Sequence, residues 1–189
     1  MEKKLRVVHY LNQFFAQIGG EDKGDVGPGI KDGAVGPGRA LQQALGDNGE
    51  VVATIFCGDN YFAEHQEQVV DELIQQAAEF KADLLVAGPA FESGRYGVAC
   101  GAIAQAAHQR LSIAVVAGTD EDNVGAGLYR KSIYIVNSGA TIARMVPTLQ
   151  RMAALGLKLA RREPIGKPLD VELLGLATEV TDDSRAVQE

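Results

Sequence analysis

The sequence predicts an α/β fold, doubly wound, with a mostly parallel five-stranded sheet between two helical layers. Three observations predict it. Five short apolar runs rich in β-branched residues recur along the 189 residues, helical patterns separate them, and each run ends in small or polar residues. Runs of this kind are strands buried on both faces, and their alternation with helices makes the sheet parallel.

The elements follow in order. "LRVVHY" (5–10) is the first strand. Residues 19–38, "GGEDKGDVGPGIKDGAVGPG", hold eight glycines and two prolines and predict a long irregular loop, a feature that is more often functional than not. "RALQQALG" (39–46) reads as a short helix feeding the second strand, "VVATIF" (51–56). Val69, Leu73, Ile74 and Ala77 stand at helical spacing within a helix over 63–80. "DLLVAG" (83–88) is the third strand, followed by an alanine-rich helix over 94–109. "SIAVVAG" (112–118) and "SIYIVN" (132–137) are the fourth and fifth strands, and a last helix covers 139–161 with Pro147 as a kink or break. The expected strand order is the flavodoxin-like one. Residues 1–163 form one domain in this reading. The tail 164–189 loses periodicity and ends polar, as a linker, a partner-binding arm or a frayed terminus does.

Composition narrows the function. Hydrophobic residues make up 46% and charged residues 23%, a globular balance. A formal charge of −7 argues against non-specific binding to nucleic acid or to an anionic membrane, both of which reward cationic surfaces. The apolar start is broken by Arg6, His9, Asn12 and Gln13, which reads as no export signal. No apolar run approaches the ~20 residues of a membrane helix. Cys57 and Cys100 give neither a disulfide framework nor a zinc pattern. The expectation is a cytoplasmic protein.

Ligands of an open α/β sheet bind beyond the carboxyl ends of its strands. Here the first strand runs into His9, Asn12 and Gln13, and the second into "CGDNYF" with Cys57, Asp59 and Asn60. The third enters "GPAFESGRYGVACG" (88–101). In that stretch Gly88 and Pro89 turn the chain, and Ser93 suits a helix N-cap. Gly94 and Gly97 permit close backbone approach to an anion at the helix start, or simply tight packing on the sheet. Arg95 adds a charge able to grip a carboxylate through two parallel hydrogen bonds. A small anionic molecule fits, whereas neither the Rossmann glycine spacing nor a P-loop lysine is present. No catalytic residue is assigned. His9 is a candidate proton carrier or a polar clamp within the sheet edge. Cys57 is a candidate at the pocket or a structural thiol, and Cys100 reads as core. Asp120, Glu121 and Asp122 are adjacent and cannot all point at one ion, so no metal site is expected.

"LRVVHYLNQFFAQIGGE", "VGPGRAL", "ATIFCGDNYFAE", "DLLVAGPAFESGRYGVACG" and "YRKSIYIVNSG" together resemble the amino-terminal part of selenoprotein B in the glycine/sarcosine/betaine reductase and D-proline reductase family, over about residues 4–168. The resemblance implies reductive cleavage of a carbon–nitrogen bond in a small amino acid or quaternary amine. It also implies a pyruvoyl group on a partner subunit that helps hold the amine, and a selenocysteine that attacks the carbon bearing nitrogen. The matching blocks contain His9, Asn12, Gln13, Gly19, Gly20, Glu21, Cys57, Asp59, Asn60, Arg95, Tyr96 and Cys100.

Chemistry assigns the roles within those blocks. Arg95 takes the substrate carboxylate and Glu21 or Asp59 a cationic amine, with Ser93, Gly94, Tyr96, Asn12 and Asn60 as further substrate-binding candidates. The family's redox centre belongs to a carboxyl-terminal half, and this sequence contains no selenocysteine. The expectation is therefore a substrate-binding component that needs other subunits of the reductase complex for turnover. The alternative is a non-catalytic small-molecule or protein-binding module. A free-standing flavodoxin-like cofactor binder is disfavoured by the missing phosphate loop and an aromatic content of 6%. Exposed edge strands predict assembly with another subunit.

Overall fold

The structure, a computed structural model, describes residues 2–165 and 173–175. Its strands are β1 Leu5–Asn12, β2 Gly29–Asp32, β3 Gly49–Cys57, β4 Leu84–Ala87, β5 Ala114–Thr119, β6 Tyr134–Asn137 and β7 Leu173–Gly175. Its α-helices are α1 Gly38–Leu45, α2 Asp59–Glu64, α3 Gln66–Glu79, α4 Gly94–Leu111, α5 Val124–Tyr129 and α6 Met145–Ala160. The strands form one sheet in the order β2-β3-β1-β4-β5-β6-β7.

The five predicted strands are all present, and they pair in parallel as β3-β1-β4-β5-β6. That is the flavodoxin order, with its topological switch between β1 and β4. Alternation along each strand sorts the two faces. Val8, Tyr10, Ile55, Leu85 and Ala117 pack under α2, α3, α4 and α5, whereas Val7, Leu84, Val86, Val116 and Val136 pack under α1 and α6. Both faces are covered, which is why the strands read as unbroken apolar runs.

Several expectations are corrected. Among the described residues the sheet has seven strands, because short antiparallel strands flank the parallel five, β2 against β3 and β7 against β6. The glycine-rich stretch 19–38 is therefore not wholly irregular, since it supplies β2 and a 3-10 turn at Glu21–Lys23. The helix expected over 63–80 is two, α2 and α3, parted at His65 where φ is −131°. The helix expected over 139–161 is a 3-10 turn at Ile142–Arg144 followed by α6. Pro147 lies in the first turn of α6, where its missing N–H removes no helical bond, so it neither kinks nor breaks the helix. Helix α5 falls between the fourth and fifth strands, where the sequence reading placed no element. Most of the tail expected over 164–189 lies outside the described residues.

None of the described helices is long and apolar enough to cross a membrane. One residue under the sheet tests the packing. Thr148 of α6 is wholly buried and its hydroxyl has no hydrogen-bond partner. Thr148→Val keeps the branched shape and removes the unpaired group, so it is expected to stabilise the fold by about 1 kcal/mol. The check is a raised urea midpoint; an unchanged or lowered one would show that the hydroxyl is satisfied.

Candidate functional site

The carboxyl ends of β1, β3 and β4 meet at the topological switch. There a cleft of about 460 Å³ is lined by Gln13, Glu21, Gly24, Asp59, Asn60, Ser93, Gly94 and Arg95. Three segments build it. Past β1 the chain turns at Asn12, whose Oδ1 accepts the Phe15 amide at 3.0 Å. The glycine-rich stretch then folds back until the Gly24 carbonyl accepts the Asn60 and Tyr61 amides, each at 3.0 Å. The third segment is the start of α4.

Asp59, the first residue of α2, is held from two sides. Asn12 Nδ2 donates to Asp59 Oδ2 at 3.0 Å, and the Asp59 amide donates to Gln13 Oε1 at 3.0 Å. Asn12 and Gln13 are 6% and 5% exposed, so this clamp is part of the packed interior. Asp59 Oδ1 is buried and has no hydrogen-bond partner. Burial pushes the Asp59 carboxyl above the usual range, while the Asn12 hydrogen bond and the Arg95 charge oppose that rise.

Arg95 stands exposed at the mouth of the cleft, and its Nη1 donates to Asn60 Oδ1 across it. Ser93 is the N-cap residue of α4, but its side chain makes no capping bond, so it does not consume the first-turn amides. The glycines divide between the two roles considered. A Cβ at Gly94 would meet nothing within 4 Å, whereas one at Gly97 would lie 2.0 Å from Asn123 Oδ1. Gly97 is small for packing, whereas Gly94, a lining residue, has open space where a side chain would stand.

The other sequence candidates lie elsewhere. Tyr96 is wholly buried in a ring cluster with Tyr10, their centroids 6.2 Å apart, and does not line the cleft. His9 points to the opposite face of the sheet, where its Nε2 donates to the Gly88 carbonyl at 2.7 Å. Cys57 is buried at the end of β3, its Sγ 3.8 Å from the Val26 carbonyl oxygen. Burial, helped by the Asp59 charge, pushes the Cys57 thiol up to about 12. Burial raises Cys100 as well. Neither thiol forms a nucleophilic thiolate near neutrality.

Sequence reasoning noted Gln13 as a polar strand end and within the matching blocks but gave it no role, and it missed Gly24 and Asn123. Asn123 caps α5 through Gly125 N and donates to the Phe91 and Ser93 carbonyls, which fixes the turn that aims α4 at the cleft. Its signal was an asparagine directly before "VGAGLY", an N-cap pattern.

A second cleft, about 430 Å³, lies at the amino-terminal edge of the sheet, with Asp83, His108, Tyr134 and Arg162 among its residues. Its carboxylate is already engaged by the Arg6 amide and by Lys3, and strand amino ends are not where such sheets bind ligands.

Comparison with known proteins decides the family. The family description "Glycine/sarcosine/betaine reductase selenoprotein B" matches residues 4–183. The chain belongs to the selenoprotein B family of glycine/sarcosine/betaine reductases. The match runs past residue 168, so most of the tail belongs to the selenoprotein B region, contrary to the narrower span expected. The chain is 51% identical over 165 residues to the glycine reductase complex component B subunit gamma of Carboxydothermus hydrogenoformans, covering 87% of this chain and 38% of that protein. It is 44% identical over 186 residues to the sarcosine reductase complex component B subunit beta of Peptoclostridium acidaminophilum, covering 97% and 42%. It is 37% identical over 167 residues to the betaine reductase complex component B subunit beta of the same organism, covering 88% and 38%. The chain thus spans about two-fifths of the length of these selenoprotein B relatives. No solved structure gives a significant match.

Proposed function

We propose that the cleft binds a small zwitterionic amino acid, and that the chain is the substrate-binding part of a component B in a glycine, sarcosine, betaine or D-proline reductase complex. The observation that carries this reading is the placing of a fixed cation, Arg95, and a clamped carboxylate, Asp59, on one small cleft at the switch point. A zwitterion needs opposite charges a few ångströms apart, and its carboxylate suits a guanidinium beside a helix start.

The residues that line the cleft bind and orient; they supply no nucleophile. A selenocysteine and a pyruvoyl group, as the family implies, would supply the attacking selenol and a carbonyl for the amine. Glu21 and Arg95 are exposed at the rim, so a second polypeptide segment can reach a bound substrate. The exposed Phe14, Val124, Leu128, Ile142 and Val146 all follow carboxyl ends of parallel strands, which supports association with other complex subunits on this side. Two free cysteines accord with a cytoplasmic complex.

Calorimetry of the chain with glycine, sarcosine, betaine and D-proline tests the reading. Binding of at least one is expected, with Arg95→Ala weakening it at least about tenfold. Heats that are absent for all four would refute the function, and affinities untouched by the substitution would take Arg95 out of the site.

A further inference from the structure

We propose that Asp59 is the specificity-determining residue of the cleft, and that it selects an amine still carrying an N–H, primary or secondary, over a quaternary ammonium. This rests on the amino-acid-binding reading above and deepens it.

Three observations lead there. First, the Asp59 carboxylate lines the cleft with one oxygen held by Asn12 and the other without a partner. Asn12 fixes Oδ2 at 3.0 Å, Gln13 fixes the backbone amide at 3.0 Å, and Oδ1 is left buried without a donor. A carboxylate oxygen away from water is costly until an N–H reaches it, and an ammonium with at least one proton on nitrogen supplies that bond. Glu21, the other acid of the cleft, is exposed on the glycine-rich stretch, solvated and without this demand.

Second, the far side of the cleft is already suited to the substrate's carboxylate. Arg95, Ser93 and Gly94 lie at the start of α4, and Arg95 is steadied by Asn60. With the carboxylate at that end, the amine of a bound amino acid faces Asp59.

Third, the lining contains no aromatic ring. A quaternary ammonium has no N–H to donate and is recognised through the faces of several aromatic rings. Tyr10, Phe62 and Tyr96 are wholly buried, and the half-buried Phe15 and Tyr61 and the exposed Phe14 are not among the lining residues. A trimethylammonium in this cleft would offer the Asp59 carboxylate no N–H and would meet no ring in the lining.

The test is calorimetry of the intact chain at neutral pH with glycine, sarcosine and betaine, for the wild type and for Asp59→Asn. Glycine and sarcosine are expected to bind at least about tenfold more tightly than betaine. Asp59→Asn keeps the shape and the Asn12 contact but removes the charge. It is expected to weaken glycine and sarcosine about tenfold or more and betaine less than about threefold. Betaine binding as tightly as glycine to the wild type overturns this proposal alone and leaves the amino-acid reading standing. So does an equal loss of all three ligands in the variant when its circular dichroism is unchanged. The wild-type series decides the matter even if Asp59→Asn does not fold, and wild-type binding of none of the three overturns both readings.

Discussion

Gly58→Ala is expected to destabilise the chain by about 3 kcal/mol, the upper end of the range for overpacking, and to lower its melting temperature by roughly 6–12 °C. Gly58 has φ −64° and ψ 140°, a conformation open to any residue, so the requirement for glycine is one of space. A Cβ there would lie 2.2 Å from the Gly24 carbonyl oxygen, 2.7 Å from the Gly24 carbonyl carbon and 2.8 Å from the Val26 carbonyl oxygen. All three are backbone atoms that cannot rotate aside, so the glycine-rich stretch must lift away from the start of α2. Lifting it breaks the bond from the Gly58 amide to the Val26 carbonyl and the two bonds that Gly24 accepts from Asn60 and Tyr61. It also parts Glu21 and Gly24 from Asp59, so glycine affinity should fall along with stability. Gly94→Ala, where an added Cβ meets nothing, is the control and is expected to move stability by less than about 0.5 kcal/mol. Thermal unfolding of the two variants side by side checks the contrast; equal effects would mean that the Gly24–Gly58 contact is not a structural joint.

That joint also shows where the sequence stops being legible. The five parallel strands could be read because burial on both faces leaves unbroken apolar runs. Strand β2 could not, because "GIKD" is four residues among glycines and prolines and gains its identity only by pairing with β3. The cleft was half legible. Asp59, Asn60 and Arg95 are polar residues at strand ends, and the ends of adjacent parallel strands converge whatever the loops do. Which side chains clamp them depends on how the loops approach, so Gln13 as a cap for α2 and Gly24 as a backbone acceptor left no local pattern. Periodicity would have relocated two residues. A helix turns about 100° per residue, so Tyr96 next to Arg95 points into the core. In a strand of period two, His9 faces away from Tyr10 and Asn12, hence away from the cleft.

The position of His9 on that other face makes it a determinant of acid stability. It is wholly buried, donates through Nε2 to the Gly88 carbonyl, and its Nδ1 has no hydrogen-bond partner. Burial lowers its pKa from 6.5 to about 4, against the opposing pull of the Gly88 hydrogen bond. In the unfolded chain the same imidazole takes a proton near its ordinary value of about 6.5. Between those limits the unfolded state binds a proton that the folded state refuses, so stability falls as pH falls through the window. A drop from 6.5 to about 4 corresponds to about 3 kcal/mol, at about 1.4 kcal/mol per pH unit. Carboxylates also titrate toward pH 4, so the informative quantity is a difference between proteins rather than a single curve. His9→Gln loses the ring's packing at every pH but has no proton to take up. Its stability deficit relative to wild type, measured by urea unfolding, is therefore expected to be largest at pH 7 and to shrink by about 3 kcal/mol by pH 4. A deficit that stays constant over that range would mean that the folded protein protonates the imidazole as readily as the unfolded chain does, and holds it charged below about pH 6.5. The Gly88 carbonyl would then be receiving its hydrogen bond from a cation, and His9 would add nothing to acid sensitivity.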